Sequence, residues 1–308
     1  MALFTRILVD IDSLAAAHPA LEQAMTLAAA CGARVTVVDV LPDVPRAARE
    51  FVTPAIEQEL VEDRRTRLTG LAERLRSDVP VDTAVIRGRP GLAVIEHAIA
   101  GGYDLVVRSH VRDLAPEPRP FGAVDMQLLR HCPCPVWLVG PKPQARPRHL
   151  LAAVDAGGQD PAEQALNRAI LELAAGMRDL EGGTLTVLHA WTAFGEELLR
   201  PRLSDDQFTE YESASRNAAA AALEALTGEL AARLTGARTE LVKGDPEVVI
   251  PEFAATHDVD LVVMGTVGRT GLTGLIVGNT AERILQRLRA SVLAIKPPGF
   301  VSSFKPGA

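Results

Sequence analysis

Short apolar runs alternate along the chain with longer segments in which apolar residues recur at helical spacing. Continuous apolar runs are typical of buried parallel strands, and a period near 3.6 residues is typical of amphipathic helices. The predicted strands are 6–12, 34–40, 81–86, 105–107, 136–139, 150–154, 185–191, 240–242, 261–264 and 292–295. The predicted helices lie within 19–31, 45–77, 90–100, 124–130, 161–175, 204–234, 246–255 and 281–288.

This alternation predicts the fold class, because strands joined by helical crossovers pair in parallel with helices on both faces of the sheet. We expect an α/β protein with two doubly wound, five-stranded parallel sheets in tandem. The segment between the two series, 140–148, contains three prolines and is predicted to be a stiff, exposed linker. The predicted organisation is a domain over 1–140, a linker over 141–148 and a second domain over 149–308.

The two series repeat one another without a gap over much of their length. A shift of 156 positions places Gly88 on Gly244, Gly122 on Gly278 and Val136 on Val292. The same shift places Asp104-Leu-Val-Val107 on the identical residues Asp260-Leu-Val-Val263. A repeat at this fixed spacing indicates that the chain is an internal duplication.

A glycine-rich loop follows the predicted strand 261–264 and precedes the helix 281–288. Glycine allows a ligand to approach the backbone closely, and the N–H groups at a helix N-terminus attract negative charge. Asn279 and Thr280 offer oxygens that could cap the helix. The loop glycines are Gly265, Gly268, Gly271, Gly274 and Gly278.

The spacing of these glycines excludes two common phosphate loops. The loop contains neither G-x-x-x-x-G-K-[ST] nor G-x-G-x-x-G, so it is neither a Walker A loop nor a dinucleotide fingerprint. Spacing alone is compatible with an anion site and also with a loop that binds nothing.

The loop resembles that of a known family. Gly265-x-x-Gly268, nine further residues, and Gly278 followed by a small polar residue are similar to the nucleotide loop of the universal stress proteins, G-x-x-G, nine residues, G-[ST]. Asn279 stands where that family has Ser or Thr. The run GTVGRTGLTGLIVGNTAE resembles the E-type tandem members, and the resemblance covers nearly the whole chain. It implies two domains of the adenine nucleotide α-hydrolase-like fold.

The resemblance also implies a nucleotide site in the second half, where ligands of open α/β sheets lie at the carboxyl ends of the strands. Asp155 could accept a hydrogen bond from a base or ribose, Ala190 would supply backbone contacts, and Arg269 would face phosphate. Asp155 could instead cap a turn, His189 could be a structural strand-end histidine, and Arg269 could be solvated. The candidate residues are Val154, Asp155, Ala190, Gly244, Met264, Gly265, Gly268, Arg269, Gly278, Asn279 and Thr280.

The first half lacks most of this loop. Ser109 stands opposite Gly265 and Ala123 opposite Asn279, and three prolines lie between positions 114 and 121. Proline removes the N–H groups that would face a phosphate. We therefore expect a nucleotide in the second half only, with a degenerate first half. Arg112 and Arg119 leave an electrostatic anion site in the first half as the alternative.

No catalytic motif accompanies the loop. G-x-S-x-G, H-E-x-x-H and the kinase signatures are missing from the sequence. The prediction is an ATP- or adenine-nucleotide-binding regulatory protein of the stress response, with or without Mg²⁺, and no structural metal. A slow ATPase, a nucleotide-free interaction or dimerisation module, and a site for another amphiphilic ligand are the alternatives. We interpret Cys132-Pro-Cys134, beside His131, as a strand entrance rather than a metal clip.

Charge and hydropathy limit the kinds of partner that the protein can have. A net charge of −7 and a pI of about 5.6 argue against a nucleic-acid-binding surface. No apolar run reaches the roughly 18 residues of a membrane span, and no signal-peptide pattern is present, so we expect a cytoplasmic location. The resemblance implies that the two halves pair through their last strands, 136–139 and 292–295, and leaves a homodimer of tandem chains open.

Overall fold

The computed structural model describes residues 3–75, 78–110, 121–140, 146–158, 160–266 and 278–302. The elements of the first half are β1 Arg6–Ile11, α1 Pro19–Cys31, β2 Arg34–Leu41, α2 Pro54–Arg74, β3 Val81–Arg87, α3 Pro90–Gly101, β4 Leu105–Ser109, α4 Ala123–His131 and β5 Val136–Val139. Those of the second half are β6 His149–Val154, α5 Pro161–Glu181, β7 Thr184–Trp191, α6 Glu196–Leu199, α7 Asp205–Glu229, β8 Arg238–Lys243, α8 Pro246–Thr256, β9 Leu261–Gly265, α9 Asn279–Arg287 and β10 Ser291–Ile295.

The strands form one sheet in the order β3-β2-β1-β4-β5-β10-β9-β6-β7-β8. Within each half, all neighbouring strands are parallel. Alternate strand residues face two apolar layers, with α1, α2, α5 and α7 on one side and α3, α4, α8 and α9 on the other. The predicted doubly wound α/β fold, with five parallel strands in each half, is confirmed.

The two halves meet at an antiparallel ladder between β5 and β10, which we call the seam. Leu293 pairs with Trp137, flanked by the pairs Val292 with Leu138 and Ala294 with Val136. Trp137 is fully buried among the side chains of the layer that contains α1 and α5. The seam therefore gives each half a covered sheet edge and a share of one continuous core.

The aspartate of the repeated tetrapeptide Asp-Leu-Val-Val makes equivalent hydrogen bonds in the two halves. The Asp104 carboxylate accepts hydrogen bonds from the backbone N–H of Thr5 at 2.7 Å and of Arg6 at 2.9 Å. The Asp260 carboxylate accepts from the backbone N–H of Arg148 at 2.8 Å and of His149 at 3.0 Å. Each aspartate thus ties the start of its fourth strand to the start of the first strand in the same half.

The prediction for the start of α9 is wrong in detail. The N-cap is Gly278, with φ −56° and ψ 141°, and Asn279 and Thr280 form the first turn of the helix instead of capping it. By contrast, Ser204 caps α7 as its sequence indicates, since its hydroxyl accepts from the Gln207 N–H at 3.3 Å. The short helix α6 was not predicted, because four residues are too few to show a helical period.

The buried position of Trp137 at the seam yields a test of the fold. Trp137→Ala should lower the free energy of unfolding by about 3–5 kcal/mol, because it leaves a large cavity between the halves. Phe51→Ala, which removes a side chain that is 75% exposed, should change it by less than about 0.5 kcal/mol. Urea unfolding followed by circular dichroism measures both, and equal effects would contradict the packing described.

Candidate functional site

Most of the predicted site residues that the structure describes lie along the carboxyl edge of the second half, and the residues that begin α9 complete the set. Val154 ends β6 opposite His189, and Ala153 beside it pairs with Met264 on β9. The chain leaves β6 towards β7 on one side, whereas β9 lies on the other, so this edge is a topological switch point. The structure thus brings together Val154, Asp155, Met264 and Gly265. Ala190 lies on β7, Gly244 directly follows β8, Gly278 is the N-cap of α9, and Asn279 and Thr280 begin that helix. Gly268, Arg269, Gly271 and Gly274 lie outside the described residues.

The two ends of the glycine-rich loop are joined by a backbone hydrogen bond. The N–H of Gly278 donates to the carbonyl of Thr266 at 2.9 Å, and the N–H of Thr266 donates to Ile295 on β10 at 3.1 Å. Thr266 is itself only 1% exposed. Thr266 and Gly278 therefore lie next to each other beside β10, immediately before α9.

The N-terminus of α9 carries no side-chain cap among the residues that the structure describes. Asn279 and Thr280 are exposed, and Ala281 behind them is buried. The first N–H groups of a helix have no partner within the helix, and together they carry a partial positive charge. This helix start is therefore suited to hold an anion.

Two of the predicted glycines also have packing roles. A Cβ atom on Gly265 would lie 2.6 Å from the Cδ2 atom of Leu166, on α5. Gly244 has φ +137°, and a Cβ atom there would lie 2.8 Å from the Cγ2 atom of Val249. Close packing and backbone conformation thus account for glycine at both positions, whether or not a ligand binds.

Asn167 on α5 positions Asp155 and was missed by sequence reasoning. Its Oδ1 atom accepts from the Asp155 N–H at 3.0 Å, and its Nδ2 atom donates to the Asp155 carbonyl at 2.7 Å. Asn167 is 5% exposed, so this amide is buried and its contacts lie away from solvent. A polar residue among the apolar positions of α5 was the available signal.

His189 packs against the same strand end. Its Nδ1 atom lies 3.2 Å from the carbonyl oxygen of Val154, and its ring is 5% exposed. This contact supports the structural interpretation of the histidine, since the ring joins β7 to the end of β6.

The corresponding edge of the first half contains a buried ionic triad. The Nε atom of Arg108 lies 3.1 Å from Oδ1 of Asp125, and its Nη1 atom contacts the carboxylate of Asp10. Asp125 also accepts from the Gly122 N–H, the N-cap of α4, at 2.8 Å. The triad thus places a carboxylate of the protein at the N-terminus of α4.

In the second half, the triad positions hold apolar residues. Asp10 pairs with Arg108 across β1 and β4, just as Ala153 pairs with Met264 across β6 and β9. The shift of 156 positions that aligns Gly122 with Gly278 places Asp125 on Ala281. Ala153, Met264 and Ala281 therefore leave the second edge without the charges that occupy the first.

Ser109 accepts a hydrogen bond at the start of another helix of the first half, α1. It stands where the second half has Gly265, and its hydroxyl accepts from the backbone N–H of Ala20 at 3.0 Å. Ala20 lies in the first turn of α1. Side chains of the first half thus satisfy backbone donors at the starts of both α1 and α4.

Burial raises the pKa of Asp10 to about 6, against the opposing charge of Arg108. Burial would lower the pKa of Arg108, but its two carboxylate partners outweigh this and raise it. Loss of hydration is thus the main reason that Asp10 holds its proton more tightly, and the carboxylates of Asp39 and Asp125 add a smaller effect in the same direction.

Within the described part of the chain, no three His, Cys, Asp or Glu side chains are grouped so that they could hold a metal ion. A search of the same residues finds no helix with the length and apolarity needed to span a membrane.

The fold and this edge define a tandem α/β protein whose predicted site residues lie at the switch point of its second half. The universal stress protein family matches residues 3–140 and 147–296. Universal stress protein E of Escherichia coli strain K12 is 31% identical over 310 residues, covering 96% of this chain and 95% of that protein. The chain therefore belongs to the universal stress protein family, and the resemblance to its E-type tandem members is confirmed.

Two solved structures resemble this fold over nearly the whole chain. A functionally unknown protein of Pseudomonas aeruginosa PAO1 is 26% identical with a TM-score of 0.71, covering 96% of this chain and 93% of that chain. A universal stress protein of Archaeoglobus fulgidus is 16% identical with a TM-score of 0.66, covering 94% of this chain and 98% of that chain. The second likeness shows the fold alone.

The raised pKa of Asp10 predicts a pH-dependent stability. Between pH 3.8, the ordinary pKa of this carboxyl, and about 6, the folded chain keeps a proton that the unfolded chain has lost. The folded state then binds more protons, so the stability of the wild type relative to Asp10→Asn should fall as pH rises through this window. Urea unfolding at several pH values measures the difference.

The matched control is Ala153→Asn, which puts an amide at the corresponding position of the second half without removing a titratable group. The difference between this variant and the wild type should not vary with pH in the same window. If the stability of the wild type relative to Asp10→Asn stayed constant or rose with pH in this window, the raised pKa of Asp10 would be contradicted.

Proposed function

We propose that this chain is an ATP- or adenine-nucleotide-binding regulatory protein of the stress response, with its nucleotide in the second half only. The observation that carries the proposal is the difference between two helix starts. Asp125 occupies the start of α4, whereas no described side chain caps α9. Helix N-terminal amides and the helix dipole favour an anion. A phosphate group would therefore accept hydrogen bonds at the start of α9, as the Asp125 carboxylate does at the start of α4.

The predicted residues divide between the two ends of such a ligand. Val154, Asp155, Ala190 and Gly244 would face the adenosine, and the Asn167 amide would hold Asp155 in place. Met264, Gly265, Gly278, Asn279 and Thr280 would line the ribose and phosphates, together with Gly268 and Arg269 of the loop. Any Mg²⁺ would enter with the triphosphate, because no cluster of three metal-binding side chains is found among the described residues.

We further propose that the chain consists of a degenerate domain over 1–140, a linker over 141–148 and a nucleotide-binding domain over 149–308. Two separate family matches, 3–140 and 147–296, support this division, although the second begins within the last two residues of the linker. The seam would then serve as an intrachain dimer interface, with β5 and β10 as the paired edges.

A second candidate is a nucleotide-free interaction module. The packing contacts of Gly265 with Leu166 and of Gly244 with Val249 favour it, because they explain these glycines without a ligand. Gly265→Asp would not separate the two candidates, since the new side chain would also collide with Leu166.

The proposal predicts one adenine nucleotide per chain. Protein purified without added nucleotide should release about one per chain on denaturation, quantified by mass spectrometry, or should take up one equivalent of ATP in calorimetry. Two per chain would contradict the blocked first half. None in either experiment would favour the interaction module.

A grafted carboxylate tests the helix start directly. Ala281→Asp gives α9 the capping residue of α4, so it should weaken ATP binding at least about tenfold through repulsion of phosphate at close range. Ala281→Asn, of similar size but neutral, should weaken it less. Calorimetry measures both affinities, and circular dichroism confirms that both variants fold. Equal affinities for Ala281→Asp and the wild type would exclude phosphate at this helix start.

A further inference from the structure

Two thiols lie in contact at the turn between α4 and β5. The Sγ atoms of Cys132 and Cys134 are 3.4 Å apart, with Pro133 between the two residues. Cys132 is fully buried and Cys134 is partly exposed, and both are free thiols. A disulfide bond is about 2.05 Å long, so a movement of little more than 1 Å would join the two sulfurs.

The backbone at this turn already brings the pair together. Cys132 is the C-cap of α4, with φ −67° and ψ 125°, so the chain has left the helix before it reaches Pro133. Cys132 also donates its N–H to Leu128 at 2.9 Å, which anchors it to the last turn of α4. The two sulfurs therefore lie in the turn after α4, outside the helix itself.

A lysine from the other half faces the thiols. The antiparallel register of the seam pairs Ala294 with Val136, and its continuation places Lys296 opposite Cys134. Burial lowers the pKa of Lys296 to about 8, although the two thiols oppose this shift. The Nζ atom also lies 5.2 Å from the centroid of the Phe300 ring. A cation is thus held beside the pair of sulfurs.

Loss of one proton from the two thiols leaves a thiolate that the remaining thiol can stabilise. The hydrogen bond from Cys134 and, to a lesser extent, the charge of Lys296 lower the pKa of Cys132, and the same hydrogen bond raises the pKa of Cys134. Cys132 is fully buried and Cys134 is partly exposed, so the pair meets solvent through Cys134. His131 lies beside the pair, with an Nδ1 atom that is buried and has no partner in the described structure. Burial, followed by the charges of Lys296 and Arg130, lowers the His131 pKa.

We propose that Cys132 and Cys134 form an oxidisable dithiol site that reacts with hydroperoxides to give an intramolecular disulfide. The thiolate sulfur of the pair attacks the terminal oxygen of the hydroperoxide, the O–O bond breaks, and an alcohol or water leaves. The other sulfur then attacks the resulting sulfenic sulfur, the S–S bond forms, and water leaves. In sum, two thiols and one hydroperoxide give one disulfide, one alcohol or water, and one water. The site does not depend on nucleotide binding.

The test uses the reduced full-length protein and hydrogen peroxide as the probe. After mild oxidation, intact mass spectrometry should show a loss of two hydrogens, and alkylation in denaturant, after the peroxide has been removed, should label one cysteine instead of three. The labelled residue should be Cys31, which serves as an internal reference. A thiol reductant should restore all three labels. Cys31→Ser should still form the disulfide, whereas Cys134→Ser should not.

Lysine variants test the role of the cation. Lys296→Met should slow the first oxidation about three- to fourfold for each pKa unit that the ammonium contributes, because lower thiolate content outweighs the higher nucleophilicity. Lys243→Met, which removes a lysine paired with Glu196 and Glu212 on another edge, should leave the rate unchanged.

Three outcomes would overturn the proposal. One is over-oxidation of Cys134 while Cys132 can still be alkylated. Another is a disulfide that includes Cys31. The third is oxidation that occurs only after the protein is denatured. Each of these can be read from the wild-type protein, so the result does not depend on how well the variants fold.

Discussion

The last helix of each half begins at the carboxyl edge of the sheet, and its first N–H groups need a hydrogen-bond acceptor. This requirement organises both edges of the molecule. In the first half Asp125 meets it at the start of α4, and Arg108 balances the buried carboxylates of Asp125 and Asp10. In the second half the described side chains leave the start of α9 open.

The triad and its apolar counterparts have different energetic consequences. Burying the Asp10 and Asp125 carboxylates costs solvation that the attraction of the partly buried Arg108 only partly offsets, whereas removing Arg108 would leave both carboxylates without a counter-charge. Ala153, Met264 and Ala281 avoid that cost and leave a surface that a nucleotide could cover. The duplication therefore provides two copies of one edge, one closed by its own side chains and one suited to a ligand. The seam holds both copies in a single sheet.

Much of the fold could be predicted because it depends on local patterns. Apolar runs marked the strands, and the Asp104 and Asp260 tetrapeptides revealed the repeat. The triad could not be predicted, since Asp10 and Arg108 are far apart in sequence and meet only through the pairing of β1 with β4. The sequence shows that Arg108 follows an apolar run, but it does not show that Asp10 and Asp125 are its partners. Asn167 was missed for the same reason, because its contact with Asp155 depends on how α5 packs.

Hydrogen exchange with and without ATP is the measurement that tests the central claim most directly. The amides of the first turn of α9, residues 279–281, should become more protected when ATP is added, because phosphate would accept their hydrogen bonds. The corresponding amides of α4, residues 123–125, should not change, because the Asp125 carboxylate already occupies that site. New protection at 123–125, or none at 279–281 with ATP bound, would contradict the account.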